Sequence, residues 1–206
     1  MTLTAVVTGG TGGIGREVVR ELQAQSWEVI SLSRREGTDI SDEKDVIKAF
    51  ASLKSLDALV HCAQILIKRP LTRMTAGQWD QQIDSGLRGA FLCSREAFKL
   101  MRRRGGAIVL VSSLSGVFGA EKFPGMSAYV AAKSGLAGLA EVLAVEGKER
   151  RIRVNAVSPG SVDTPMLRTA GVQGPALDST EVARIIAWLA SAESSPLSGA
   201  NLRINP

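Results

Sequence analysis

Hydrophobic runs and amphipathic segments alternate along the whole chain, and this alternation restricts the fold more than any other feature. Short aliphatic runs predict strands, and apolar residues spaced three and four positions apart predict helices. Strands that alternate with helices are typical of a parallel sheet covered by helices on both faces. We therefore predict an α/β protein with a doubly wound parallel β-sheet, formed by residues 1–206 as a single domain.

The predicted elements follow one another without a linker. Capping residues at 41–43 and 178–181 support the second and the last helix. We predict strands at 3–7, 28–32, 58–60, 107–111 and 152–157, and a short edge strand at 202–204. The helices between them are marked by Ile14, Val18 and Leu22; by Val46, Ile47, Phe50 and Leu53; by residues 79–103; by Leu136, Leu139, Val142 and Leu143; and by Val182, Ile185, Ile186 and Leu189.

Composition excludes several classes of protein. The chain is 45% hydrophobic and 22% charged, which is typical of a soluble globular protein rather than a disordered one. Apolar runs such as 107–111 are too short to cross a bilayer, and the first four residues carry no signal-peptide charge, so we expect a cytoplasmic protein with no membrane partner. With two cysteines and one histidine, neither a disulfide framework nor a four-ligand zinc site is expected.

The net charge of +5 raises the question of nucleic-acid binding. The basic residues are mostly scattered, and the densest run, Arg102 to Arg104, precedes two glycines where a helix C-terminus would favour cations. No aromatic residues are interleaved with this run for base stacking. We expect a solvated helix end and no nucleic-acid partner.

A glycine-rich segment, 8–15, lies between the first strand and the first helix. Backbone N–H groups and the helix dipole at such a turn favour a pyrophosphate, as in the Rossmann fold. A glycine cluster alone is equally compatible with a flexible turn, but its place between strand and helix favours nucleotide binding. A P-loop is excluded because no Lys-Ser/Thr pair follows the glycines.

The end of the second strand selects between the two nicotinamide cofactors, because an acidic residue there binds the adenosine ribose and repels a 2′-phosphate. In this chain Ser33, Arg34 and Arg35 make that position basic. A hydroxyl and two guanidiniums suit an additional phosphate. We predict that NADP(H) is preferred, with NAD(H) as the alternative cofactor and a loop of exposed arginines as the alternative interpretation.

Tyr129 and Lys133 are four residues apart and therefore share one face of a helix. Such a pair is commonly found on the surface, but here it follows Ser112 and Ser113 at the end of a central strand and precedes a turn at 158–160. The carboxyl ends of the strands are where open α/β sheets bind ligands. These residues are therefore candidates for a catalytic site.

With these motifs the chain resembles the short-chain dehydrogenase/reductase family over nearly its whole length, and within it the 3-oxoacyl-(acyl-carrier-protein) reductases. The resemblance implies hydride exchange between a nicotinamide and a carbonyl or alcohol. It gives Tyr129 the role of general acid/base, Ser113 that of polarising the carbonyl, and Lys133 that of binding the cofactor ribose. It also implies a homodimer or homotetramer. The four segments that carry it are 8–15, 113–116, 129–133 and 154–164.

The resemblance also implies cofactor contacts along the chain. Asp39 and Ile40 match the adenine-contacting pair, and Val162 and Thr164 match contacts to the nicotinamide carboxamide. No metal ligand is predicted. The predicted cofactor-binding residues are Gly9, Thr11, Gly12, Gly13, Ile14, Gly15, Ser33, Arg34, Arg35, Asp39, Ile40, His61, Cys62, Ala63, Tyr129, Lys133, Pro159, Gly160, Val162 and Thr164.

A phenol that exchanges protons near neutral pH needs a pKa about 3 units below its reference value of ~10, which corresponds to about 4 kcal/mol. Lys133 and an oxidised nicotinamide both favour the phenolate, because nearby positive charge stabilises it. We therefore predict a lowered pKa for Tyr129.

Three features depart from the family pattern. Residues 61–64 replace Asn-Asn-Ala-Gly, so that Gln64 stands in place of a glycine. His61 is expected to be a hydrogen-bonding structural substitute, with a new proton-carrying group as the alternative. Gly86 stands where the family has an asparagine that relays protons to the lysine. The chain is also short at 36–38, where we expect a helix to be missing, and in the substrate loop at about 161–178.

The leading interpretation is an NADP(H)-dependent carbonyl reductase or alcohol dehydrogenase that acts on a small-molecule substrate. The alternative is a non-catalytic NADP(H)-binding sensor or scaffold, which the replacements at positions 64 and 86 favour. A hydrolase is not expected, because no Gly-x-Ser-x-Gly elbow is present. Four apolar residues either line a substrate pocket or make packing contacts: Phe118, Phe123, Met126 and Met166.

Overall fold

A parallel sheet lies at the centre of the structure, a computed structural model that describes residues 2–101, 104–171 and 173–205. Its strands run in the spatial order β2-β1-β3-β4-β5-β6, and all neighbours pair in parallel. This order confirms the predicted doubly wound α/β fold. The strands are β1 (Thr4–Thr8), β2 (Glu28–Leu32), β3 (Ala58–His61), β4 (Gly106–Val111), β5 (Ile152–Pro159) and β6 (Asn201–Ile204).

The helices begin and end close to where the hydrophobic pattern predicts, with two exceptions. A short helix at Pro165–Ala170, inside the predicted substrate loop, was not predicted. The single helix predicted over 79–103 begins at Ala76, widens into a π turn at Asp84–Arg88 and ends at Leu100. Of the basic run expected at its end, Arg102 and Arg103 lie outside the described residues. The helices are α1 (Gly13–Ala24), α2 (Glu43–Ala51), α3 (Ala76–Ile83), α4 (Gly89–Leu100), α5 (Ser127–Gly147), α6 (Pro165–Ala170) and α7 (Ser179–Ala190).

The predicted caps are present at two of these helices. The Asp42 side chain accepts hydrogen bonds from the first-turn backbone of α2, and the Asp178 side chain accepts one from the backbone N–H of Thr180. After β2 only a short 3₁₀ turn, Arg34–Glu36, precedes α2. This confirms the expected loss of a helix from that connection.

Each face of the sheet has its own hydrophobic core. Along β1, Val6 contributes to one core while Ala5 and Val7 contribute to the other, as the two-residue period of a strand requires. Helices α1 and α7 pack against each other over the face that contains Val7. Helices α2, α4 and α5 cover the opposite face, where Leu136 is fully buried. Burying a leucine of this kind stabilises the fold by about 2 kcal/mol.

Helix α5 is long and apolar enough to cross a membrane. It packs along β5 and β4, and its Ala132, Lys133 and Leu136 are buried. A buried lysine and contacts along two central strands identify it as a helix of the α/β fold. Its outward face exposes Val142 and Val145.

The strand order opens a crevice at the carboxyl edge of the sheet, between β1 and β3. The chain leaves β1 towards β2 on one side and reaches β3 on the other, so the turns that follow β1 and β3 diverge. Hydrogen bonds hold both turns to the sheet, from Gly9 N to Leu32 O at 2.8 Å and from Cys62 N to Thr8 O at 3.1 Å. This edge is where a ligand site is expected in such a sheet.

The turn between β1 and α1 depends on glycine at two positions. Gly9 has a φ of 70°, in the left-handed region, and a Cβ on it would lie 2.9 Å from the backbone of Ala63. A Cβ on Gly15 would overlap the carbonyl oxygen of Gly9. Gly12, at the start of α1, has no atom within 4 Å of the Cβ position. Close backbone approach therefore requires glycine at 9 and 15 but not at 12.

We expect Gly15→Ala to lower the free energy of unfolding by about 2–3 kcal/mol, because the added methyl meets immobile backbone. The matched change Gly12→Ala adds a methyl to open space and should stay within about 1 kcal/mol of the wild type. Urea denaturation of the two variants measures the difference. Equal stabilities would show that the turn can relax around residue 15.

Candidate functional site

Two adjoining cavities open at the carboxyl edge of the sheet. The larger, of about 460 Å³, extends from the glycine turn and the end of β2 to Tyr129 and Lys133. The smaller, of about 330 Å³, is lined by Ser113, Tyr129 and the loop that contains α6. Tyr129 lines both cavities and marks their junction.

Most of the predicted cofactor-binding residues face the larger cavity. Val162, Pro159 and Gly160 line the smaller cavity instead, and His61 is fully buried behind the cavity wall. The predicted residues that line the larger cavity are Gly9, Thr11, Gly12, Gly13, Ile14, Gly15, Ser33, Arg34, Arg35, Asp39, Ile40, Cys62, Ala63, Tyr129, Lys133 and Thr164.

The predicted catalytic side chains meet where β4 ends and α5 begins. Ser113 caps the turn after β4, with its hydroxyl accepting from Ser115 N at 3.2 Å. Lys133 is 3% exposed, and its Nζ donates to the Val111 carbonyl at 2.7 Å. The same Nζ lies 5.6 Å from the centre of the Tyr129 ring. Burial of the lysine excludes the alternative of an exposed surface pair.

The Tyr129 phenol has a raised pKa, because burial disfavours the phenolate more than its hydrogen bond to Ser113 favours it. The structure therefore differs from the lowered pKa predicted from the sequence. Burial also lowers the pKa of Lys133, to about 8. At neutral pH the phenol retains its proton and the ammonium retains its charge, so the pair is set up to donate a proton.

His61 has the structural role expected of it. Its Nδ1 lies 2.9 Å from the Thr8 hydroxyl, which also accepts from Ala63 N at 3.3 Å. The ring also interacts as a donor with the backbone of Gly86, so we assign the ring proton to Nε2 and let Nδ1 accept from the Thr8 hydroxyl. Burial, assisted by the charge of Lys133, lowers the pKa of His61 to about 3. The ring is neutral and joins the ends of β1 and β3.

The end of β2 contains a residue that the sequence interpretation missed. The Glu36 carboxylate accepts from the Ser33 hydroxyl at 2.7 Å and from the Ser31 hydroxyl at 2.8 Å. Arg34 and Arg35 are exposed and line the larger cavity as predicted. The Ser-x-x-Glu spacing from residue 33 to 36, a known start of helical turns, was the signal that could have revealed this contact. The predicted phosphate-binding hydroxyl is thus already paired with a carboxylate.

The smaller cavity has a largely apolar wall. Phe123, Met126 and Met166 line it, as predicted, together with Leu66 and Leu167. Helix α6 closes one side of the cavity. Such a cavity suits a carbonyl carried on a hydrophobic body.

Phe118 and Lys68 are not part of the lining of this cavity. Phe118, predicted as a further pocket residue, is completely exposed and does not line the cavity. Lys68 donates from its Nζ to the carbonyl of Ala170 at 2.7 Å and so holds the end of α6. Within the predicted substrate loop, Val162 pairs with Leu177, while Val172 lies outside the described residues.

Comparisons with known proteins agree with this geometry. A family model described as enoyl-(acyl carrier protein) reductase matches residues 9–205. The 3-oxoacyl-(acyl-carrier-protein) reductase FabG of Staphylococcus aureus is 32% identical over 242 aligned positions, which cover 100% of this chain and 97% of that protein. The 3beta-hydroxysteroid dehydrogenase of Mediterraneibacter gnavus is 35% identical over 187 positions, 78% of this chain and 66% of that protein.

Solved structures show the same likeness. The ligand-free aldohexose dehydrogenase of Thermoplasma acidophilum superposes with a TM-score of 0.90 at 26% identity, covering 99% of this chain and 92% of that one. A structure described as a short chain dehydrogenase/reductase family protein also has a TM-score of 0.90, at 30% identity, with coverage of 98% and 95%. Together with the family match over residues 9–205, these likenesses show that the chain belongs to the short-chain dehydrogenase/reductase family of oxidoreductases.

Proposed function

We propose that the protein is an NADP(H)-dependent oxidoreductase that transfers a hydride between the nicotinamide and a carbonyl or alcohol substrate. The observation that carries this proposal is the position of Tyr129, which lies where the larger cavity meets the smaller one. A dinucleotide in one cavity and a carbonyl in the other would meet at this phenol. NAD(H), the alternative cofactor, would bind in the same cavity.

The residues of the larger cavity fit a dinucleotide. The glycine turn leaves open space beside Gly12 at the start of α1, where backbone N–H groups and the helix dipole favour a pyrophosphate. Arg34 and Arg35 supply positive charge at the end of β2. Among described residues, only the Val111 carbonyl accepts from Lys133 Nζ, so further N–H groups remain for ribose hydroxyls.

Each catalytic residue then has a defined task. When bound, NADPH supplies the hydride to the carbonyl carbon. Tyr129 donates its proton to the carbonyl oxygen, and the raised pKa of the phenol keeps that proton available at neutral pH. Ser113 donates a hydrogen bond to the same oxygen as negative charge develops on it. The ammonium of Lys133 stabilises the phenolate that remains.

Other features support the remaining parts of the proposal. We assign residues 1–206 to one NAD(P)-binding domain, with 161–178 as the substrate loop, because Thr164, Met166 and Leu167 line the smaller cavity. Exposed apolar side chains on α4 and α5, including Phe91, Val142 and Val145, favour a homodimer or homotetramer built on these helices. The cytoplasm, where NADP(H) is available to such enzymes, is the proposed location.

The first experiment is titration of the protein with NADPH and NADH, followed by NADPH oxidation with ketones, aldehydes and β-ketoacyl thioesters. We expect tighter binding of NADPH and turnover of at least one substrate. Tyr129→Phe should reduce turnover by about a thousandfold, because the proton donor is lost, and change NADPH affinity less than threefold. NADPH binding without turnover by the wild type would support the sensor or scaffold instead, and absence of binding would contradict both functions.

Glu36 provides a separate test of cofactor preference. Its carboxylate occupies the Ser33 hydroxyl and repels a 2′-phosphate, so we expect Glu36→Gln to tighten NADPH binding about fivefold. NADH affinity should change less than twofold, because NADH lacks that phosphate. Glu28→Gln, at the other end of β2, is the control for loss of a surface charge. If Glu36→Gln instead weakens NADH binding, the carboxylate holds the ribose hydroxyls and the protein prefers NAD(H).

A further inference from the structure

The side chain of Gln64 lies where a side chain on residue 86 would begin. Gly86 is buried in the π turn between α3 and α4. A Cβ on Gly86 would collide with Oε1 of Gln64 and would lie 2.8 Å from its Cδ. The two departures from the family pattern are therefore in direct contact, and glycine at 86 makes room for the amide of Gln64.

Hydrogen bonds hold this amide in place. Gln64 Nε2 donates to Ile65 O at 2.9 Å and to Gln82 O at 3.0 Å, one turn before Gly86. The Ser85 hydroxyl shares the Gln82 carbonyl at 3.3 Å and accepts from Ile65 N at 3.3 Å. The loop after β3 is thus joined to the π turn by side chains from both sides. π turns inside α-helices are frequent at functional sites.

Two polar atoms beside this contact are buried and lack a hydrogen-bond partner in the described part of the chain. They are the acceptor Oε1 of Gln64 and Nε2 of His61, to which we assign the ring proton and which interacts with the Gly86 backbone without a well-formed hydrogen bond. Buried polar groups almost always have a partner, and a buried water with two to four polar neighbours commonly supplies it.

The residues that carry these two atoms are both linked to Lys133. Gln64 lines the same cavity as Lys133. The charge of Lys133 acts on the fully buried ring of His61. Lys133 has three N–H donors, of which one is taken by Val111 O. An acceptor, a ring donor and an ammonium with spare donors therefore belong to the same region of the structure, beside Gly86 and the larger cavity.

We propose that Gln64 is a positioning residue, whose side-chain oxygen together with His61 Nε2 binds a buried water that supports the Lys133 ammonium. The amide that steadies the lysine comes from the loop after β3, and residue 86 must have no side chain. This inference rests on the proposed reductase function, because its consequence is measured in catalysis.

A double-mutant cycle tests the contact itself. Gly86→Ala in the wild type displaces the Gln64 amide and should lower the Tm and kcat as much as Gln64→Ala does. In the Gln64→Ala background the same Gly86→Ala change should lower neither the Tm nor kcat further, because the Gln64 side chain with which the added methyl collides is absent. Gln81→Ala, an exposed glutamine of α3, is the control and should match the wild type. Additive losses in the cycle would overturn the proposal.

Kinetics and pH dependence test the role in positioning. Gln64→Ala should lower kcat about tenfold or more and leave KM for NADPH and substrate within threefold, because Lys133 is less well held. Activity should fall as pH rises through the pKa of Lys133, about 8 in this structure, since the ammonium is then lost. Without the supporting water the ammonium is less stable, so this fall should move to lower pH by roughly 0.5 unit.

The other titrating groups around Lys133 are distinguishable from it. Those described are Tyr129 on the same helix, whose pKa is raised, and His61 and Cys62 beyond β3, with pKa values of about 3 and about 12. A fall in activity near pH 8 therefore reports on the lysine. A pH profile of Gln64→Ala that superimposes on the wild type would overturn the inference.

A side-chain exchange provides the rescue. Gly86→Asn alone should be poorly active, because its side chain meets that of Gln64. Combined with Gln64→Gly, it supplies an amide from the helix side and should recover at least half of wild-type kcat. Recovery no better than Gln64→Gly alone would count against the proposal. A wild type without turnover contradicts the reductase function as well, whereas an active wild type with unchanged Gln64 variants contradicts only this inference.

Discussion

The site depends on the burial of one ammonium group. Lys133 is 3% exposed, and a charge in such a place is tolerated only with close polar partners. The Ser112 hydroxyl donates to the Lys133 carbonyl at 2.6 Å, and Lys133 Nζ donates to Val111 O at 2.7 Å. These two bonds seat the first turns of α5 on the end of β4. The tyrosine one helical turn earlier is thereby brought to the junction of the cavities.

The titratable groups described around this charge are neutral, and no carboxylate in the described part of the chain forms an ion pair with it. His61 is held neutral between the ends of β1 and β3, since burial and the nearby lysine both disfavour its protonation. Tyr129 keeps its proton for the same reason of burial. The glycines of the turn after β1 let its backbone lie close to the backbone that follows β3.

Two replacements that look independent in the sequence become one feature in the structure. Taken alone, Gln64 adds a side chain beside the cofactor cavity and Gly86 removes one from a helix. In space the first fills the volume that the second vacates. At the end of β2, the structure likewise joins residues that look independent in the sequence, because the Glu36 carboxylate accepts from Ser31 and Ser33. At positions 64 and 86 the departure from the family pattern is therefore a local rearrangement of polar groups rather than a simple loss.

The sequence by itself determined the order and type of the elements, since hydrophobic periods of two and of three to four residues reflect the geometry of strands and helices. It also indicated that the glycine turn, Ser113, Tyr129 and Lys133 lie at one edge of the sheet, because parallel strands bring their carboxyl ends together there. Only the tertiary structure decided the π turn at Asp84–Arg88, the exposure of Phe118 and the raised pKa of Tyr129. It alone also showed the partners of Gln64 and Glu36. Burial, desolvation and the direction of a side chain depend on neighbours from distant parts of the chain, and no local pattern of residues encodes them.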